Sequence, residues 1–268
     1  MTSNGHPAGA GLYLLFEQGD RPDLDGVQSA LSGDSGIAIT HRGTDPPAAR
    51  EGSASGGHPA DGALHVAELL CDGLTFDLAG MKPGPRLGSV DLPVAIDPPE
   101  ARASLSYTPL RLTAGPHLSG AQGSLPVLRA QMRIAVALCS GEVGPRAIGW
   151  SPSGAFMGAD AFARIAGNWL GGGAFPALGL VTYSAAVDGG LESTGLSYIT
   201  GQELRIEPDA FEDRAAASRL AMRLVDRLAG SAAVTQGQDL TGPEGEALRL
   251  EPSRNGRFVR VCRRPEHF

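Results

Sequence analysis

A chain of 268 residues, 42% of them hydrophobic, can build one large core or two small ones, and its 38 glycines and 20 prolines fall between apolar runs as turns, without a collagen period. A net charge of −7 argues against a phosphate-backbone binder, so no nucleic-acid partner is expected, and the single lysine, Lys82 in Met-Lys-Pro-Gly-Pro, has no Schiff-base or phosphate-loop context. Cys71, Cys139 and Cys262 are odd in number, far apart and set in apolar sequence, no run approaches the ~18 apolar residues of a membrane span, and Met1 to Pro7 carries no basic leader region; reduced thiols, a cytoplasmic location and no membrane partner are therefore expected.

The first element is the continuous apolar run Gly11 to Glu17, which suits a strand buried on both faces. Asp20 is placed to cap a short helix reaching Leu31, with Pro22 tolerated in its first turn, and a strand from Gly36 to His41 completes a β-α-β start. Residues 42–62 shift to Gly, Pro, Ala, Ser and charge with no periodicity, the composition of a mobile loop. Apolar residues resume over Ala63 to Leu70, and Leu74, Phe76 and Leu78 alternate with Thr75 and Asp77 as in a half-exposed strand. Val90 to Ile96 and Leu105 to Leu112 read as two more strands, separated by a loop at Pro98-Pro99.

The second half is richer in helix. Ser124 is a predicted N-cap for a helix to Cys139, with Leu128, Met132, Ala135 and Cys139 inward, Arg129 and Arg133 on the wet side and Gly141 after its end. A short strand at Ala147 to Trp150 precedes a helix capped by Asp160, with Phe162, Ile165, Ala166 and Trp169 on one face, that stops at Gly171-Gly-Gly173. Leu178 to Val187 and Thr194 to Glu207 form a predicted hairpin around Asp188-Gly189-Gly190. Asp209-Ala-Phe-Glu212 has the form of a capping box for the longest helix, with Ala217, Leu220, Ala221, Leu224 and Leu228 as its apolar stripe and Arg219, Arg223 and Arg227 as a solvated row. Ala247 to Glu251 and Arg257 to Arg263 flank the hairpin turn Ser253 to Gly256.

No constellation amounts to a catalytic signature. Gly149-Trp-Ser151-Pro-Ser153 approximates the serine-hydrolase elbow but has Ser153 in place of the final glycine, no immediate helix, and only His267 downstream as a base. The six histidines lack metal-ligand spacing, and Asp23 and Asp25 lack the remaining ligands of a calcium loop, so no metal or cofactor is expected. The segment Thr194 to Arg205 is the strongest candidate for recognition. Thr200, Gln202 and Glu203 gather polar groups beside Gly201, Glu203 and Arg205 share one face of a strand by their spacing, and Trp150 is a candidate binding aromatic. The alternative for these residues is a solvated charged strand and a core tryptophan.

The C-terminal half, over roughly Leu118 to Arg263, resembles a bacterial family known as domain of unknown function 4261. The likeness rests on a helix ending near Ala137-Leu-Cys139, on Gly149-Trp150-Ser151, and on Thr194-Gly-Leu through Thr200-Gly-Gln-Glu-Leu204 ahead of a capped helix. It implies an α+β domain and supplies no catalytic residues.

The expected architecture is α+β, with mixed or antiparallel sheets in two halves covered by two or three amphipathic helices, and with residues 1–115 and 116–268 as the two units. The expected function is a non-catalytic binding or protein-interaction module, accessory or immunity-like, with a protein partner. The alternative is a hydrolase whose site is assembled from residues distant in sequence.

Overall fold

The computed structural model describes residues 10–45, 64–97, 107–142, 144–243 and 245–264. In chain order the first elements are β1 (Leu12–Phe16), α1 (Leu24–Leu31), β2 (Ile37–Asp45), β3 (Leu64–Cys71), β4 (Leu74–Ala79), β5 (Val94–Ile96), β6 (Thr108–Ala114), α2 (Leu125–Cys139), β7 (Ala147–Trp150), β8 (Ala155–Gly158) and α3 (Ala159–Leu170). They are followed by α4 (Ala177–Leu180), β9 (Thr182–Ala185), β10 (Leu191–Thr194), α5 (Ser197–Thr200), β11 (Glu203–Ile206), α6 (Arg214–Ala229), β12 (Gln238–Thr241), β13 (Ala247–Pro252) and β14 (Phe258–Arg263).

The strands form an eight-stranded sheet of order β2-β3-β4-β6-β1-β7-β8-β5 and a six-stranded sheet of order β12-β13-β14-β11-β10-β9. Each sheet is mixed, antiparallel throughout except for the parallel pairs β5–β8 and β11–β14. The fold is therefore α+β with two helix-covered sheets. The eight-stranded sheet draws β7 and β8 from beyond residue 116, so its membership does not follow the division at 115/116.

Register explains how the larger sheet is buried. Leu12 and Leu14 of β1 lie opposite Leu112 and Leu110 on one side and Trp150 and Ile148 on the other, and all six are 2% exposed or less. Because side chains alternate along a strand, these residues share one face. α2 packs on that face over β3, β4 and β6, and α3 packs over β7 and β8. Gln131, buried on the inner side of α2, donates from Nε2 to the Leu112 carbonyl at 2.8 Å, so its amide is paired where an unpaired one would be costly.

In the smaller sheet Leu204, Ile206, Leu248, Leu250, Val259 and Val261 are buried, and α6 lies against β11 with Leu220, Ala221, Leu224, Val225 and Leu228 inward. The predicted apolar stripe of the longest helix is therefore its packed face. No helix among the described residues is long and apolar enough to cross a membrane.

Several local expectations are corrected. The cap of α1 is Asp23, whose side chain accepts from Gly26 N, and not Asp20; that of α6 is Asp213, bonded to Ala216 N, while Asp209 sits in a single 3-10 turn. Ser124 occupies the N-cap of α2 without a side-chain bond, and Gly158, not Asp160, precedes α3. β1 and β2 are separated by three strands, so β1-α1-β2 is no adjacent β-α-β unit. β2 continues to Asp45, whereas residues 46–62 of the expected loop, like Pro98-Pro99, lie outside the described residues. Only Val94–Ile96 of the run from Val90 forms a strand. A hairpin does turn at Asp188-Gly189-Gly190, but its arms are Thr182–Ala185 and Leu191–Thr194; the expected first arm begins in α4, and the expected second arm from Thr194 lies beyond the hairpin, with Glu203–Ile206 on the far side of β10.

Arg129 and Arg133 are not a wet face. Arg133 forks onto both oxygens of Asp34, at 2.7 and 2.6 Å, and reaches Asp72 at 2.8 Å, while Arg129 donates to the Trp169 and Leu170 carbonyls at the end of α3. The two arginines tie α2 to its neighbours on either side.

Candidate functional site

The segment singled out in the sequence, Thr194 to Arg205, folds back on itself between the two sheets. Gly195 has φ +101°, and a Cβ there would stand 2.6 Å from the Leu180 carbonyl oxygen, so only glycine fits the reversal. The chain then makes the single turn α5, closed by Gly201 in the left-handed region, and enters β11.

The Glu203 carboxylate fills the space this reversal creates. One oxygen accepts from Gly195 N (2.9 Å), Ser197 N (3.1 Å) and Ser197 Oγ (2.6 Å). The other accepts from Ser193 Oγ (2.5 Å) and Leu196 N (3.2 Å). These backbone groups are the free N–H donors at the start of α5, and a carboxylate is the acceptor best suited to them.

The neighbouring candidates are also bonded within the fold. Thr200 Oγ1 donates to the Gln202 carbonyl at 2.8 Å, within the turn. Gln202 is 5% exposed; its Oε1 accepts from Val234 N, and its Nε2 donates to the carbonyls of Val234 and Gly256. Trp150 is 1% exposed and meets Tyr198 edge to face, with centroids 5.2 Å apart, which joins β7 to α5. Gln202 and Trp150 thus face inward, whereas Thr200 and Glu203 are only partly buried and spend their polar groups within the turn.

Arg205 shares with Glu203 the outer face of β11, opposite α6, but has partners of its own there. It forms ion pairs with Asp188 and Glu192, and its Nε donates to Glu207 at 3.0 Å. Parallel pairing sets Arg205 directly against Arg260, a like-charge contact that would be unfavourable alone. Glu207 resolves it, since one carboxylate oxygen accepts from both guanidinium groups, with Arg260 at 2.6 Å. Burial by itself would raise the pKa of Glu207, but the hydrogen bonds from Arg260 and Arg205 outweigh it and hold the carboxyl below its usual range. Arg205 is correspondingly held above its ordinary value, first by its hydrogen bond to Glu207.

The same face continues across β13 and β12, where Arg249 bridges Asp239 at 2.6 Å and Glu251 at 2.8 Å. Around Arg205 and Arg260 the surface dips into an open depression of about 430 Å3, lined also by Phe258 and by Arg254 and Asn255 of the β13–β14 turn. Glu207, Arg260, Arg254 and Phe258 escape sequence reasoning. The alternations Leu204-Arg-Ile-Glu207 and Phe258-Val-Arg-Val261 carry the outward direction of these side chains, but the β11–β14 pairing that brings them together spans 55 positions in the chain.

The remaining candidates resolve simply. Ser151 Oγ accepts from Gly11 N at 3.0 Å and donates to Gly11 O at 3.2 Å, and the segment from β7 turns into β8 as a hairpin. His267 lies outside the described residues. Among the described residues no group of three or more His, Cys, Asp or Glu side chains could hold a metal ion. No family model, no curated protein and no solved structure matches the chain.

Proposed function

We propose that the protein is a non-catalytic protein-interaction module of the cytoplasm, accessory or immunity-like in role, that recognises its partner with the open face of the six-stranded sheet. The likeness of the C-terminal half to domain of unknown function 4261 is part of the same proposal. The observation that carries the reading is the charge pattern on that face. Asp188 and Glu192, Arg205, Glu207, Arg260, and then the Arg249 bridge between Glu251 and Asp239 follow one another across the strands, mostly paired and partly exposed.

Such a surface is preorganised, because the guanidinium groups of Arg205, Arg260 and Arg249 are already held in place by carboxylates and lose little freedom on binding. Alternating charge fixes the register of a partner and repels wrong ones, and Phe258 adds an apolar anchor to the lining. Exposed Arg254, which forms no ion pair among the described residues, supplies an unmatched positive charge at the rim.

An amide hydrogen-exchange footprint tests this reading. The tagged full chain is used to capture its partner from native lysate, and exchange is compared with and without that partner. Protection over Phe258–Arg263 and Glu203–Ile206 supports the assignment. Protection confined to other elements, or turnover of a captured small molecule, overturns it.

A further inference from the structure

The eight-stranded sheet carries a second feature that does not depend on the reading of the six-stranded sheet. β2, nine residues long, is its outermost strand, and among the described residues no other strand pairs with its outer side. Every second residue of such a strand turns its N–H and C=O away from the sheet, which makes it a template for another chain.

Beside this edge lies a groove of about 260 Å3 between β2 and α1, with Leu31, Ile37 and Ile39 as its floor and Gln28 and Arg42 at one end. Strict alternation would send Ile39 and Arg42 to opposite faces. The register shift between Ile39 and His41 changes that: Ile39 pairs with Leu69 and Arg42 with Ala67, two residues that share the helix-covered face of β3. The bulge therefore delivers a guanidinium to the end of an apolar groove.

Arg42 is exposed and bonded only to the neutral Gln28 amide, at 2.9 Å, with no carboxylate in reach among the described residues. Arg133, by contrast, is matched by both Asp34 and Asp72.

We propose that the free edge of β2 binds an extended peptide segment of a partner protein, in which alternate apolar side chains fill the groove over Ile37 and Ile39 and an Asp or Glu meets Arg42. Strand addition would satisfy the open backbone groups, the groove would select side chains at every second position, and Arg42 would set the register. A second copy of this chain fits less well, because the carboxylate of β2, Asp45, meets Arg42 across an antiparallel pair only in a register that leaves Ile37–His41 of both strands without a partner within β2.

The test uses the full chain and a phage-displayed library of random twelve-residue peptides. Enriched peptides are expected to alternate apolar residues with one acidic residue and to protect amides within Ile37–Gly43 from exchange. Arg42→Glu should weaken their binding at least tenfold with unchanged thermal unfolding, Arg42→Lys should recover most of it, and Arg223→Glu, on the exposed side of α6, should leave it intact. No enrichment, protection of other amides, or equal binding by Arg42→Glu overturns the proposal. So does a concentration-dependent dimer that protects β2 by itself, since that assigns the edge to a second copy.

Discussion

The Glu203 carboxylate accepts both the backbone N–H and the hydroxyl of Ser197, at 3.1 and 2.6 Å. Together with Gly195, Leu196 and Ser193 this makes five donors to one side chain, and it turns the most conspicuous acidic residue of the segment into a fastener. Glu203→Ala leaves those donors without an acceptor in a partly buried setting and should cost about 2–4 kcal/mol, measured by urea unfolding. Glu203→Gln should cost less, since it keeps the shape and one acceptor oxygen. A cost below about 0.5 kcal/mol for Glu203→Ala would show that the turn holds without its carboxylate.

The close approach of Gly123 to Tyr198 makes a second demand. A Cβ at Gly123 would lie 1.9 Å from the Tyr198 carbonyl oxygen, a backbone atom fixed by α5. Gly123→Ala should therefore lower stability by about 2 kcal/mol or more by forcing the entry to α2 away from the junction. The measurement is the unfolding midpoint compared with Gly33→Ala, where a Cβ meets nothing within 4 Å.

Tyr183 carries a buried hydroxyl with no hydrogen-bond partner among the described residues. Tyr183→Phe should be neutral or stabilising by about 1 kcal/mol, since it removes an unsatisfied polar atom and leaves the ring. Burial, reinforced by Glu203, also holds the Tyr183 phenol well above its ordinary value, and burial pushes that of Tyr198 up to about 12. A raised phenol stays neutral in the fold while the unfolded chain ionises, so stability is complete below about pH 10 and falls as the pH rises beyond it. Absorbance titration should find these tyrosines ionising late, and Tyr183→Phe should soften the alkaline loss.

Arg133 and Asp34 give the opposite dependence. The hydrogen bond from Arg133 holds the Asp34 carboxyl below its usual value, although burial opposes it. A carboxyl lowered in the fold adds stability above about pH 4, and that contribution is lost as the pH falls through its folded value. Arg133→Ala should cost about 1–2 kcal/mol at pH 7, moderated by the partial exposure of the pair, and less at pH 3. Equal losses at the two pH values would assign the effect to packing of the arginine stem.

Period and turn chemistry made much of the fold legible. The apolar run at Leu12–Phe16, the stripe of α6 and the turns at Asp188 and Asn255 follow from local pattern, and each appears where the sequence places it. The caps of α1 and α6 were less legible because those helix starts offer more than one acidic residue, Asp20 and Asp23 or Asp209, Glu212 and Asp213, and only the path of the chain decides between them. The candidate site was read in part. Spacing put Glu203 and Arg205 on one strand face, but it carried no sign that residues 195–197 fold back over Glu203, or that β14 would lay Arg260 beside Arg205. Those are contacts between distant segments, and local periodicity is blind to them.

The most direct test of the central claim separates the fastener from the recognition surface. Glu203→Ala and the double variant Arg254→Glu with Arg260→Glu are compared for unfolding and for capture of the partner from native lysate. Glu203→Ala is expected to lose stability, whereas the double variant stays folded, because Arg254 is exposed and Arg205 still pairs with Glu207 once Arg260 is replaced, and loses its partner at least tenfold. A folded double variant that holds its partner as well as the unaltered protein would contradict it.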